Sequence, residues 1–182
     1  DLESVVIPNS VTKIGSYAFS NCGELVEATL SNSIKNISTG IFSNCSKLMT
    51  VNLSDGIESI STAAFGNCFN LVNIILPSSL KAINACAFQY CSSLKTIVLP
   101  EGLVQIDAEA FKYCVSLKNI NIPDNLIELG TNVFLDANDL ESAKKGRDYL
   151  ISIQNNLPKV IFNLLWFFII PYFKTITFHL EN

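Results

Sequence analysis

Charge is scarce in this sequence, and basic charge especially so. Only 15% of its 182 residues are charged, against roughly a quarter in a typical globular domain. Lys and Arg number 12 and Asp and Glu number 16, so the net charge is −4. Nucleic-acid-binding domains usually carry a basic stripe, whereas the basic residues here are scattered except at Lys144, Lys145 and Arg147. The composition therefore predicts no nucleic-acid partner.

Groups that could carry out catalysis are also few. The only histidine is His179, and a serine or cysteine nucleophile needs a base beside it. Asp55, Asp107 and Asp124 fall at turn or cap positions and do not converge as a catalytic pair of carboxylates would. No Cys-X-X-Cys pair occurs, and the spacing typical of zinc ligands is absent. We expect no enzymatic activity, no metal site and no cofactor.

What the sequence has in abundance is a repeat of 23 residues. Four series keep this interval without insertion or deletion: Leu at 2, 25, 48, 71, 94, 117 and 140; Phe at 19, 42, 65, 88, 111 and 134; Cys at 22, 45, 68, 91 and 114; and Ile or Leu at 14, 37, 60, 83, 106 and 129. Series that stay in phase in this way indicate an array of stacked structural repeats. We place six repeats at 2–24, 25–47, 48–70, 71–93, 94–116 and 117–139.

Each repeat has the same internal pattern. In the first, the alternation of Val5 and Ile7 with outward residues predicts a β-strand, and residues 8–10 (Pro-Asn-Ser) favour a turn. Residues 11–14 then predict a short extended piece. Position 15 and its equivalents hold residue types that cap helices, and Ala18, Phe19 and Cys22 share one helical face. We therefore predict strand, turn, extended piece and one or two turns of helix in every repeat.

Eight apolar positions recur on the inward side, at 2, 5, 7, 11, 14, 18, 19 and 22 of the first repeat. A single repeat cannot bury so many apolar side chains, but stacking buries them against the neighbouring repeats. The sequence thus predicts a right-handed solenoid with parallel strands. Five of the six cysteines occupy one inward position, which favours buried free thiols over disulfides or metal ligands. Cys86 lies outside this series and is expected to be the most accessible thiol.

The repeat resembles the BspA-like, or treponemal, class of leucine-rich repeats. The resemblance rests on segments such as LESVVIPNSVTKIGSYAFSNC, residues 2–22, and covers about residues 1–139. It implies a surface-exposed or secreted ligand-binding protein, often adhesin-like, of the kind found in bacteria and protists. The family offers no shared catalytic residues to carry over. Ser31 and Ser54 stand where the pattern has Pro, and Ile41 stands where it has Ala.

The candidate binding surface is the concave strand face. In a strand, residues between the inward ones point to the opposite face, which here gives two nearly uncharged columns. We predict that a ligand contacts Glu27, Thr29, Thr50, Asn52, Asn73, Ile75, Thr96, Val98, Asn119 and Asn121. Hydroxyls, amides and aliphatic groups suit a protein or extended-peptide partner in protein–protein interaction or adhesion. The alternative is a structural spacer in a larger protein, with no ligand of its own.

The pattern ends after Leu140. Residues 140–157 predict an amphipathic capping helix that stops before Pro158. Residues 158–182 form a hydrophobic tail, for which we keep three interpretations: a membrane anchor through 160–180, a packed cap, or an aberrant tail. Its apolar run is shorter than the ~20 residues of a membrane span. We expect the protein at the cell surface or secreted, with a cytoplasmic or membrane-tethered location as the alternative. The oligomeric state is left open.

Overall fold

The computed structural model describes residues 1–118 and 120–137, and these fold into a parallel β-solenoid whose rungs repeat every 23 residues. Sheet 1 contains the first strand of the early rungs: β1 (Ser4–Val6), β2 (Glu27–Thr29), β4 (Thr50–Asn52) and β6 (Asn73–Ile74). Single bridges from Asn73 to Thr96 and from Ile97 to Ile120 continue it along the stack. Every pairing is parallel and joins residues 23 apart, as the repeat predicts.

A second sheet forms where we predicted only a short extended piece. Sheet 2 contains β3 (Asn36–Ile37), β5 (Ser59–Ile60), β7 (Ala82–Ile83), β8 (Gln105–Ile106) and β9 (Glu128–Leu129). Its strands also pair in parallel, for example Ile37 with Ile60 and Ile60 with Ile83. Since these extended pieces lie side by side in successive rungs, pairing satisfies their backbone groups.

The interior is built from the predicted inward positions. The phenylalanine rings stack along the solenoid with centroids 5.2 to 5.7 Å apart, from Phe19 through Phe134. Phe42, Phe65 and Cys68 are 0% exposed, which confirms that they are interior. No buried side-chain nitrogen or oxygen among the described residues lacks a hydrogen-bond partner. The core is therefore a continuous apolar column with its polar groups satisfied.

The predicted turns of helix are wrong, since residues 1–118 and 120–137 contain no helix. The N–H groups of Tyr17, Phe19 and Asn21 donate to carbonyls of the next rung, at Thr39, Ile41 and Ser43. An α-helix would need those donors for its own i−4 carbonyls. Tyr17 and Asn21 also take positive φ angles of 59° and 62°. This side of each rung is consequently a chain of β-turns.

Ser38, one of the residues predicted as helix caps, binds the neighbouring rung instead. The Ser38 hydroxyl donates to the backbone carbonyl of Ile14, in the preceding rung. The predicted capping helix at 140–157 and the hydrophobic tail at 158–182 lie outside the described residues. Within the described ranges, no helix has the length and apolar character to cross a membrane.

The cysteine series forms a column of free thiols beside the phenylalanines. The Sγ atoms of Cys45, Cys68, Cys91 and Cys114 lie 3.0 to 3.2 Å from carbonyl oxygens of the preceding rung. Burial raises the pKa of the Cys45 thiol from 9.0 to about 11 and that of Cys114 from 9.0 to about 12. The same burial raises the pKa of Cys68 and Cys91 as well. These thiols act as small apolar groups.

We predict that Phe88→Ala strongly destabilises the fold. Phe88 is fully buried between Phe65 and Phe111, and a Phe-to-Ala cavity costs about 3–5 kcal/mol of unfolding free energy. The matched control is Phe69→Ala, because Phe69 is 43% exposed. Urea unfolding should show a large loss for Phe88→Ala only. Equal midpoints for the two variants would contradict an interior position for Phe88.

Thiol labelling should separate the column from the other cysteines. Cys22 and Cys86 are only partly buried, whereas the other four are buried. A water-soluble disulfide reagent at pH 8 should therefore modify Cys22 in the native protein, Cys86 more slowly because its pKa is raised, and all six thiols in urea. Peptide mapping by mass spectrometry identifies the modified positions. Rapid native labelling of Cys68 or Cys91 would show that the column is open to solvent.

Stability should decline in alkaline solution. The unfolded thiols ionise near 9.0, while in the folded state Cys45 and Cys114 stay protonated up to about 11 and 12. The folded state thus binds more protons in this interval, so its stability is complete below pH 9 and is lost as pH rises through the folded values. Thermal melting between pH 8 and 11 measures this. A double variant, Cys45→Ala with Cys114→Ala, should lose less stability over that pH interval than the wild type. Melting temperatures that fall equally steeply with pH in both proteins would contradict the prediction.

Candidate functional site

The candidate site is the outward face of sheet 1. Its strands pair in parallel and in register, so equivalent side chains line up in columns one rung apart. Among the predicted site residues, Thr29 is partly buried, Asn119 lies outside the described residues, and the remainder are exposed: Glu27, Thr50, Asn52, Asn73, Ile75, Thr96, Val98 and Asn121. The structure thus brings the described members onto one surface.

At one end of this face the polar side chains bind one another. The Asn52 Nδ2 donates to Glu27 Oε1 at 3.2 Å and to Thr29 Oγ1 at 3.1 Å. Glu27 is the only charged residue in the two predicted columns. A ligand contacting this end must therefore displace or share hydrogen bonds that the protein already makes.

Asn121 has a structural role that the sequence did not reveal. Its Nδ2 donates to the Leu99 carbonyl at 3.1 Å, and its Oδ1 accepts from the Leu99 N–H at 3.2 Å. The side-chain amide thereby pairs with the neighbouring rung as a peptide group would in a sheet. Since both of its polar atoms are engaged, Asn121 is poorly suited to a direct hydrogen bond with a ligand.

The middle of the face combines exposed aliphatic groups with polar ones. Ile75 is 78% exposed and Val98 is 73% exposed. The neighbouring Asn73 and Thr96 make no side-chain hydrogen bond to any described residue. A depression of about 410 Å³ lies here, lined by Asn73, Ile74, Ile75, Leu76, Ser78, Thr96, Ile97, Val98 and Pro100. We call Asn73, Ile75, Thr96 and Val98 the central patch.

The central patch contains no titratable group and offers no acid–base chemistry. It presents amide and hydroxyl groups, which can donate and accept hydrogen bonds, beside two aliphatic side chains that gain free energy on leaving water. Binding is the chemistry that such a surface supports.

A second chemically notable group among the described residues surrounds Cys86, on the turn side of the rungs. Glu109 accepts from Lys112 at 3.1 Å and from Gln89 at 2.8 Å. Burial raises the pKa of the Cys86 thiol, and the Glu109 carboxylate raises it further, while Lys112 lowers it. The thiol is thus held protonated, and the carboxylate is already engaged by two donors, so the group lacks an activated nucleophile.

Metal ligands do not converge in the part of the chain that the structure describes. Residues 1–118 and 120–137 include no group of three His, Cys, Asp or Glu side chains placed to hold an ion. The thiols of the cysteine column are occupied by backbone carbonyls within the core.

Solved structures from bacteria share this fold. The leucine-rich repeat protein of T. pallidum matches with a TM-score of 0.71 and 28% identity, over 82% of this chain and 83% of that one. A leucine-rich cell surface protein of Faecalibacterium prausnitzii matches with a TM-score of 0.63 and 32% identity. A leucine-rich repeat protein from Eubacterium ventriosum matches with a TM-score of 0.52 and 26% identity.

The coverage of the latter two comparisons is unequal. They extend over 65% and 74% of this chain but only 31% and 30% of the two bacterial proteins. This chain therefore corresponds to one portion of those longer proteins. No curated protein matches the sequence.

The family comparison agrees with the geometry. The sequence model described as the BspA type leucine rich repeat region matches residues 1–84 and 58–159, in six copies. The matched ranges take in every rung that the structure describes, and their repeats are those that stack in register. The chain belongs to the BspA-type leucine-rich repeat family.

Proposed function

We propose that this chain is a non-catalytic binding module that engages a protein or an extended peptide through the outward face of sheet 1. The observation that carries the proposal is the central patch, where Ile75 and Val98 are more than two-thirds exposed beside polar side chains free of side-chain hydrogen bonds to the described residues. Aliphatic groups provide burial energy, and the adjacent Asn73 and Thr96 provide directional contacts. Adhesin-like recognition at a cell surface is the setting that we propose.

Charge supports a protein partner over nucleic acid. The two predicted columns hold one charged residue, the acidic Glu27, whereas binding to a phosphate backbone relies on Lys and Arg contacts. The cell-surface or secreted location rests on the F. prausnitzii relative, which is described as a cell surface protein. Membrane contact through 160–180 stays a separate proposal, because those residues lie outside the described ranges.

A structural spacer is the second candidate. The hydrogen bonds of Asn52 and Asn121 favour it at the two ends of the face, since these side chains stabilise neighbouring rungs. A spacer needs only uniform stacking, whereas a binding module also needs an exposed patch such as the one around Ile75. Selection of binders against the isolated protein separates the two candidates.

We predict that ligands select the central patch. Peptides are first selected against the wild type from a random phage-displayed library. Their affinity for the variant Asn73→Glu with Thr96→Glu should fall about tenfold or more, roughly 1.4 kcal/mol. The reason is that a bound peptide would cover the two new carboxylates without offering them a partner. The matched control is Asn70→Glu with Thr62→Glu, which changes exposed residues outside the face. Titration calorimetry gives the affinities, and thermal melting verifies folding.

The control variant should bind as the wild type does. Selected peptides that bind the Asn73→Glu, Thr96→Glu protein with unchanged affinity would place recognition elsewhere. A library that yields no binder at all would favour the spacer.

A further inference from the structure

A second row of exposed side chains runs beside the outward face of sheet 1. It consists of the residue that precedes each outward strand column: Glu3, Val26, Met49, Val72, Lys95 and Lys118. Successive members are joined by backbone hydrogen bonds, from Val26 N to Glu3 O at 2.8 Å through Lys118 N to Lys95 O at 3.1 Å. The members are therefore neighbours in order along the stack. We call this set the flanking row.

The flanking row is exposed at five of its six positions. Val26 is 38% exposed and Met49 is 47% exposed. Glu3, Lys95 and Lys118 are exposed, and Val72 is partly buried. Exposed apolar side chains flanked by charged ones are typical of a protein–protein interface, which has an apolar centre and a polar rim.

Charge is distributed unevenly along the row. Glu3 is the first member of the row, Glu27 follows Val26 directly and lies beside the second member, and Lys95 and Lys118 are the last two members. The ion pairs among the described residues join other groups, Lys35 to Glu58, Lys47 to Glu24 and Lys112 to Glu109. Within the described part of the chain, the three charges of the row, Glu3, Lys95 and Lys118, take part in none of these ion pairs, and Glu27 beside the row accepts one hydrogen bond, from Asn52.

The row pairs with its own reverse at its centre, apolar with apolar, and at its two ends, acidic with basic. A two-fold axis between Met49 and Val72 places these two side chains opposite each other in two copies. The same axis places Glu3 opposite Lys118 of the second copy, and Lys95 opposite Val26 and next to Glu27. At about 4.8 Å for each rung, the row extends over roughly 24 Å, which separates its acidic and basic ends by more than a Debye length at physiological salt.

We propose that two copies of this chain associate antiparallel through their flanking rows, with the apolar residues at the centre and ion pairs at both ends. A two-fold interface must be self-complementary, with each contact made twice, and the pairs of Glu3 with Lys118 and Met49 with Val72 meet that requirement. Parallel association would place glutamate against glutamate and lysine against lysine, which is repulsive. A second copy is therefore the occupant that the charge pattern selects. The proposal does not depend on the ligand proposed above.

Charge exchange tests the proposal on the full chain. Sedimentation velocity should show a reversible dimer for the wild type that weakens at high salt, where charges are screened. The acidic variant, Lys95→Glu with Lys118→Glu, and the basic variant, Glu3→Lys with Glu27→Lys, should each associate at least about tenfold more weakly. An equimolar mixture of the two should restore dimers, because all four ion pairs re-form between unlike copies.

Two further variants make the result specific. Lys13→Glu with Lys81→Glu changes the net charge as the acidic variant does, but at exposed positions outside the row, and it should associate as the wild type does. A variant with all four exchanges at Glu3, Glu27, Lys95 and Lys118 reverses the polarity of the row and should again pair with itself. Thermal melting verifies that each variant is folded.

Several outcomes would overturn the proposal. The first is that the wild type stays monomeric at every concentration, as expected if the row binds a different protein. The second is that the acidic variant dimerises as tightly as the Lys13→Glu, Lys81→Glu control. The third is that the acidic and basic variants fail to pair when they are mixed. Association that persists unchanged in every variant would come from another part of the chain and would equally overturn it.

Discussion

In-register stacking of 23-residue rungs of equal length is the constraint on which this structure depends. Each rung offers its neighbour the same hydrogen-bonding edges, in sheet 1, in sheet 2 and along the β-turns. Phenylalanine rings at one position and cysteine thiols at another fill the space that this stacking encloses. Because the interior is filled by residues at fixed positions, the positions between them are left to face outward and to vary in chemistry from rung to rung.

Much of the fold follows from the sequence because the repeat is uninterrupted. The interval of 23 residues predicts which residues pair, and pairs such as Val51 with Ala28 follow it. The β-turns could not be distinguished from turns of helix in the sequence, since Ala18, Phe19 and Cys22 have the spacing of a helical face as well as that of the observed turns. The difference lies in the destination of backbone N–H groups such as that of Phe19, which bind the next rung. The pattern of side chains in the sequence does not indicate which carbonyl groups these backbone N–H groups bind.

The candidate site was predictable as a surface but less so residue by residue. The alternation along the strand correctly predicted that Ile75 and Val98 are exposed. It could not show that Asn121 pairs with the backbone of Leu99, because that bond depends on the placement of an amide relative to a neighbouring rung. The uneven charge of the flanking row was present in the sequence, but its meaning emerged only when Glu3 and Lys118 were placed in order on the same edge.

Solution NMR of the isotope-labelled protein tests the register most directly. Nuclear Overhauser contacts should join the backbones of Ala28 and Val51, and the rings of Phe65 and Phe88, because each pair lies on adjacent rungs. Medium-range contacts of the helical kind should be missing from residues 61–69. Contacts that join residues at an interval other than 23, or a helical series across Phe65, would contradict the stacked-rung account.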